Sequence, residues 1–306
     1  MAGKAKRLPL LAPSRKPLDK EGNLMLSPVR SRTRKLARDA AVSALARANS
    51  MRGYTDKALT LPVIHFPYLH ATPLGEAGKF RDLLQAISKT HHLISYSEAV
   101  TKVLEGPIDK PYASFSFDDG FKSNLLAARI LEEFGTTGMF FVPTNAVGIP
   151  SVVQAREFFK FDDGCDEPVM TWEDLESLRS RGHEVGNHTM NHVTLSRISR
   201  NQAVEEIHSA AAALRAKLGS CEHFAWPNGR FFHFEQSLID EVFLAGHTSC
   251  ASAERGAHSV VHSGSSDELC IRRDHIRTSW PLEVNKYFLG KAAAAASKKS
   301  NTYPGF

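Results

Sequence analysis

Residues 112–142 read YASFSFDDGFKSNLLAARILEEFGTTGMFFV. The stretch falls into three parts. YASFSF is short, aromatic-rich and alternating, so it reads as a strand. SNLLAARILEEFG carries apolar residues at helical spacing and stops at Gly135. TGMFFV is a second strand. Strand, helix and strand within about thirty residues make a β–α–β unit, which implies parallel pairing.

The same alternation extends in both directions. Upstream, LPVIHF reads as a strand bounded by prolines, and GKFRDLLQAISKT as a helix with Phe80, Leu83, Leu84 and Ile87 on one face. HLISY is a strand. SEAVTKVLEG is a helix with Ser97 as N-cap and Gly106 as its stop. Downstream, TWEDLESLRSRG is a helix in which Thr171 and Asp174 form a near capping box. HEVGNH, HFAW, HTSCAS and LCIRR read as strands. NQAVEEIHSAAAALRAKLG, FEQSLIDEVFLAG and EVNKYFLGKAAAAA read as helices. The expected fold is α/β, a distorted (β/α)7-type barrel with parallel strands, over residues 59–290. The long connection between TGMFFV and TWEDL has no assigned element and reads as functional or mobile. Residues 291–306 read as a low-complexity tail.

The chain has 306 residues, 42% apolar and 23% charged, the proportions of a globular protein. Its formal charge of +5 is unevenly spread. Residues 1–58 hold 14 Lys/Arg and 4 Asp/Glu, so the body is net acidic. The first 58 residues therefore read as a basic extension, partly disordered or helical. Within it TRKLARDAAVSALARA suits a helix with Leu36, Ala40 and Leu45 on one side. Such an arm suits contact with an anionic surface, or targeting. An acidic body argues against a nucleic-acid groove. No apolar run reaches the roughly eighteen residues of a spanning helix. The proline-broken LPLLAP does not make a secretory signal, so a cytoplasmic location is expected. The cysteines, at 165, 221, 250 and 270, form no CxxC and suggest no disulfide framework.

In a parallel α/β fold the chemistry sits at the carboxyl ends of strands. Asp118 and Asp119 end YASFSF, His188 and His192 end HEVGNH, Trp226–Asn228 end HFAW, and His65 ends LPVIHF. One carboxylate and two imidazoles make a three-ligand site for a divalent transition metal. Neither His-x-x-x-His nor Asp-Asp-Gly is specific alone. A second triplet, Asp162–Gly164, follows no apolar strand and reads as a turn.

Taken in order, SFSFDDG, EVGNHTMNH and FAWPNG resemble the polysaccharide deacetylase superfamily (carbohydrate esterase family 4, the nodulation-type deacetylase homology domain). The resemblance spans residues 61–276. It implies a metal-dependent hydrolase that removes N-acetyl groups from an N-acetylated sugar or polysaccharide. It implies Asp119, His188 and His192 as metal ligands, with zinc first and cobalt, manganese or nickel as alternatives. It implies Asp118 as the general base toward water. Trp226, Pro227 and Asn228 correspond to the third motif, with the Asn228 N–H facing the oxyanion and Trp226 offering an apolar stacking face. That motif lacks the arginine many members carry. LCIRRDHI resembles the late arginine-bearing strand of a variant branch, so Arg273 is expected to pair with Asp118. The same branch has an early tyrosine-histidine element, which VIHFPYL resembles. His65 is thus the expected general acid, with His70 and His275 as competitors. His183 reads as structural, His91–His92 as a solvated helix end, and His258 with His262 as loop. The competing function is a catalytically inactive barrel that binds carbohydrate or acts as a scaffold, or a hydrolase of a non-sugar amide. Oligomeric state is not legible.

Overall fold

The computed structural model describes residues 28–160, 167–262 and 269–298. The chain divides into two units, Met1–Leu45 and Ala46–Phe306. Helix α1 (Pro28–Met51) begins in the first and ends in the second. Leu36, Ala40 and Leu45, expected to share one side, are all exposed. The triplet Asp162–Gly164, Cys165 and the tail from residue 299 lie outside the described residues.

In chain order the second unit continues with α2 (Tyr54–Ala58), β1 (Ile64–His65), β2 (Pro67–Leu69), α3 (Ala77–Ser88), β3 (His92–Leu93) and α4 (Tyr96–Glu105). Next come β4 (Tyr112–Ala113), β5 (Ser116–Phe117), α5 (Asn124–Glu133), β6 (Met139–Val142), α6 (Val152–Phe159) and α7 (Trp172–Ser180). Then follow β7 (Glu184–Asn187), α8 (Arg200–Leu218), β8 (His223–Ala225), α9 (Ile239–Leu244) and β9 (Ser249–Ala251). Last come β10 (Cys270–Ile271), β11 (Asp274–His275) and α10 (Leu282–Ala295). No helix of the described residues is long and apolar enough to cross a membrane. Cys221, Cys250 and Cys270 are free and buried.

Eight strands form one sheet in the order β10-β9-β8-β7-β6-β5-β2-β11, and each ladder is parallel. Its two edge strands, β10 and β11, are separated only by Arg272 and Arg273. One run of chain thus supplies both edges, pairing with β9 on one side and β2 on the other. Ser252 donates to the Ile271 carbonyl at 2.9 Å on one side, and Asp274 donates to the Phe66 carbonyl at 3.0 Å on the other. The sheet curls into a distorted barrel as a result. A small sheet, β1-β4-β3, continues two of its staves.

Several local expectations change. The first strand does not stop at Pro67. Proline has no N–H for the ladder, so the run breaks at Phe66 and resumes as β2, paired with β5 and β11. Helix α4 starts two residues earlier than expected. Ser95, not Ser97, is its cap and accepts from the Glu98 N–H at 3.2 Å. HLISY shortens to two paired residues, and the FEQSLIDEVFLAG helix is a 3-10 turn followed by six residues. The long connection contains α6, capped by Ser151. The Thr171–Asp174 capping box and the Gly106 and Gly219 stops form as the residue types suggest.

Alternation within 114–118 divides two environments. Phe115 and Phe117 face the helices, packing with Phe80, and Phe117 stacks on Phe140 at 5.1 Å. Ser114 and Ser116 take the opposite, barrel-interior side and are fully buried. At the amino ends of the strands, the Glu184 carboxylate caps α4. It accepts the Tyr96 N–H at 2.7 Å and the Ser97 hydroxyl, and Ser97 also meets the His223 ring at 2.8 Å.

Two predictions follow from this packing. A methyl at Gly186 would stand 2.6 Å from the Phe141 ring and 2.9 Å from the His223 carbonyl. Gly186→Ala should cost about 1–3 kcal/mol, read as a lower urea midpoint with an unchanged slope. Burial raises the Glu184 carboxyl, but His223 and Ser97 outweigh it and hold the group below its ordinary range. A depressed carboxyl stabilises the fold above its unfolded pKa and loses that contribution as pH falls through its folded value. Glu184→Gln should therefore flatten the acid side of the stability profile, measured by urea midpoints from about pH 7 to about pH 3.

Candidate active site

Asp118 and Asp119 follow β5, His188 follows β7, Asn228 follows β8 and His70 follows β2, all at carboxyl ends of parallel strands. Asp118, His188, Asn228 and His70, together with Tyr68 and His192, line a cavity of about 90 Å³, and Asp119 lies buried beside it against the two histidines. Among the described residues five non-glycines have positive φ, and four of them are here: Asp119 (72°), Thr189 (68°), His192 (53°) and Asn228 (63°). Left-handed backbone costs an L-residue about 1–2 kcal/mol, so such clustering marks a geometry held by its surroundings. At Asp119 it has a clear consequence. The chain turns between two adjacent carboxylates, and they serve different partners.

Asp119 faces the two histidines. Its Oδ1 lies 3.1 Å from His192 Nε2 and 3.7 Å from His188 Nε2. His188 Nδ1 lies 2.6 Å from the Ala225 carbonyl, which can only accept, so Nδ1 carries the proton. The His188 Nε2 lone pair is therefore turned toward a carboxylate oxygen. Both Asp119 oxygens are buried and, among the described residues, neither has a hydrogen bond. Lone pairs facing one another in a buried site are repulsive unless a cation lies between them. The three side chains each offer one ligand atom, all within 4.8 Å of one another. They fit a divalent transition metal in number and type. Burial pushes the His188 imidazole down to about 4, which keeps it in the neutral, ligating form. Burial alone would raise Asp119, but His192, with His70 and His188, holds it ionised below the usual carboxylate range.

The loop carrying the histidines is held from below. Glu206 on α8 accepts the Met190 and Asn191 N–H groups at 2.9 and 2.8 Å and the Asn191 amide at 2.6 Å. Asn187 accepts the Thr189 N–H at 2.7 Å and donates to the Ile207 carbonyl at 2.9 Å. Phe159 of α6 meets the His192 ring edge-on at 5.2 Å.

Asp118 turns into the barrel. Arg273 reaches it with two parallel hydrogen bonds, Nη1 to Oδ1 at 2.7 Å and Nη2 to Oδ2 at 3.0 Å. The guanidinium is fully buried, its Nε donates to the Ser252 carbonyl at 2.9 Å, and it lies over the rings of Tyr68 (4.6 Å) and Phe141 (5.1 Å). Burial disfavours its charge, yet Asp118 more than compensates and raises its pKa.

Three expected placements change. His65 is fully buried on β1 and does not line the cavity. Its ring sits 5.3 Å from that of His91, with Nδ1 3.7 Å from Asp274. The reason is the continuation through Pro67, which makes His70 the strand-end histidine. Trp226 lines the cavity but is fully buried, stacked on Phe234 at 4.6 Å with its N–H on the Arg230 carbonyl, so it presents no open sugar face. Pro227 is buried behind it, whereas Asn228 is exposed and donates its amide to Thr194 Oγ1 at 3.0 Å. His91 and His258, expected in solvent or loop, are buried. His183 is structural: Nδ1 accepts the Gly138 N–H at 2.9 Å and Nε2 meets Glu132.

Residues 105–247 match the family model for polysaccharide deacetylase. The chain carries a polysaccharide deacetylase domain. That family places the protein among hydrolases of carbon–nitrogen bonds. The fold agrees. The Streptococcus pyogenes deacetylase PplD, solved with acetate, superposes with a TM-score of 0.58 at 16% identity, covering 74% of this chain and 98% of its own. IcaB from Ammonifex degensii gives 0.57 at 18%, covering 74% and 97%. A Bacillus cereus polysaccharide deacetylase gives 0.57 at 17%, covering 74% and 69%. No curated protein matches by sequence.

Removing one partner of the buried pair strands the other. Arg273→Met should cost about 3–5 kcal/mol in urea unfolding, and the double variant Asp118→Asn, Arg273→Met appreciably less.

Proposed function

We propose that the protein removes N-acetyl groups from an N-acetylated sugar or oligosaccharide in a metal-dependent reaction. The observation that carries this is the pairing, at one small cavity, of an Asp119/His188/His192 cluster, whose two histidines line it, with a carboxylate clamped by arginine. Asp119, His188 and His192 would hold the metal, zinc by the character of the donors. A divalent ion there supplies Lewis acidity toward an acyl oxygen and activates water at neutral pH.

The chain's own groups divide the rest. Asp118 is the general base. Arg273 fixes both its oxygens at 2.7 and 3.0 Å, so the carboxylate keeps one orientation and a free lone pair on each oxygen. Asn228, in left-handed backbone at the rim, supplies its N–H to the developing oxyanion. His70 replaces His65 as proton donor to the leaving amine. It lines the cavity, is half-buried, and packs beside Tyr68 and His275. A cavity of about 90 Å³ suits acetyl better than a longer acyl group.

The test is metal content by mass spectrometry alongside acetate release from N-acetylglucosamine oligomers. The wild type should hold about one zinc-class ion per chain. His188→Ala should lose both metal and activity. Asp118→Asn should keep metal while acetate release falls about 10²–10⁴-fold. A replete wild type without metal would overturn the reading.

A further inference from the structure

Behind the loop that carries His188 and His192, polar side chains meet against α8 without reaching the cavity. Asn187, the last residue of β7, is fully buried there and has its amide bound at both ends. Its oxygen accepts the Thr189 N–H at 2.7 Å. Its nitrogen donates to the Ile207 carbonyl at 2.9 Å and lies 3.1 Å from His247 Nε2. An amide nitrogen has no lone pair to offer, so at that contact Asn187 donates and the ring nitrogen accepts. His247 is buried just ahead of β9, 60 residues along the chain, with the Phe224 ring at 5.8 Å. Burial, with Arg215 and His223 nearby, pushes its imidazole down to about 3, so the ring is neutral. With the lone pair on Nε2, the proton sits on Nδ1, which faces Cys221 Sγ at 4.0 Å.

The two acceptors, the Ile207 carbonyl and His247 Nε2, hold the amide nitrogen on one side and so aim the amide oxygen at Thr189. Turned over, the amide would set its oxygen against two lone pairs and its N–H groups against the Thr189 N–H. Thr189 depends on a fixed acceptor because its backbone is left-handed, at φ 68°, as is that of His192, at 53°. Thr189 Oγ1 in turn accepts the His192 N–H at 3.1 Å. We propose that His247 is a positioning residue for the metal site: its Nε2 locks the Asn187 amide, and the amide holds the strained turn that aims His188 and His192. Glu206 secures the neighbouring Met190 and Asn191 N–H groups, so the two anchors hold different parts of the loop.

Because this role rests on the metal-dependent reading proposed above, binding is measured apart from turnover. Full-length wild type and variants take up zinc in competition with a chelating dye. Cobalt(II) in the same site reports ligand geometry through its visible absorption bands. His247→Phe keeps a ring and removes the acceptor, so it should weaken zinc binding about tenfold and shift the cobalt bands. His247→Gln returns an acceptor near the Nε2 position and should recover zinc affinity to within about threefold of wild type. Added to Asn187→Ala, His247→Phe should cause little further loss, because the histidine acts through that amide. Ile239→Ala, in the same apolar cluster as Phe224, should lower the urea midpoint and leave zinc affinity and cobalt bands unchanged. Wild-type zinc affinity and cobalt bands in His247→Phe overturn the proposal. Equal weakening in Ile239→Ala, or no recovery in His247→Gln, would mean a structural role only and overturns it as well. If His247→Phe does not fold, His247→Asn, which is too short to reach the Asn187 amide, is judged by the same outcomes. A wild type that binds no zinc would instead overturn the metal site itself, and this role with it.

Discussion

The contact between Asp118 and Arg273 joins the two ends of the barrel's logic. Arg273 lies between β10 and β11, where the sheet's two edges meet, and Asp118 ends the β5 stave, two strands in from the β11 edge. Taking both charges out of water costs several kcal/mol per ion before their attraction is counted, so the pair contributes little net stability over an apolar filling. Its value is positional. With its hydrogen bonds to Ser116 and the Ser252 carbonyl, the guanidinium ties three staves to one point. Ser116 is small enough to leave it room and accepts from it, and Tyr68 and Phe141 close over its faces.

From that fixed point the rest of the site is arranged by backbone strain. Asp119 is held at φ 72°, which turns its carboxylate away from its neighbour and toward the histidines. Their own loop has two further left-handed residues and is held by Glu206 and Asn187. The side chains nearest the cavity are thus set by polar groups that themselves never reach it. Three acceptor-rich side chains are presented to one another, with a clamped carboxylate alongside.

Much of this was legible in the residues. The alternation of strands and helices, the capping box at Thr171, the stop at Gly106, and the order of the Asp-Asp-Gly and His-x-x-x-His motifs depend on local chemistry. Other features were not legible. Pro67 reads as a strand end because proline lacks a donor, yet pairing on both sides carries the strand past it. That shift moves the strand-end histidine from His65 to His70. Ser97 has the right residue type for a cap but is taken by Glu184, far away in sequence. Trp226 looks like a platform until Phe234 is folded onto it.

The sequence by itself determined which chemistry was available: two adjacent carboxylates after an apolar strand, two histidines on one turn, and a parallel α/β frame to bring strand ends together. Period, capping and ligand type are properties of short segments, so they survive without a fold. Tertiary structure alone decided which histidine reaches the cavity and that Trp226 is closed off by Phe234, whereas the contact of Arg273 with Asp118, 155 residues apart, is expected from the resemblance of LCIRRDHI. Those outcomes depend on which staves become neighbours when the sheet closes, and on which polar groups find partners there. No local pattern records either.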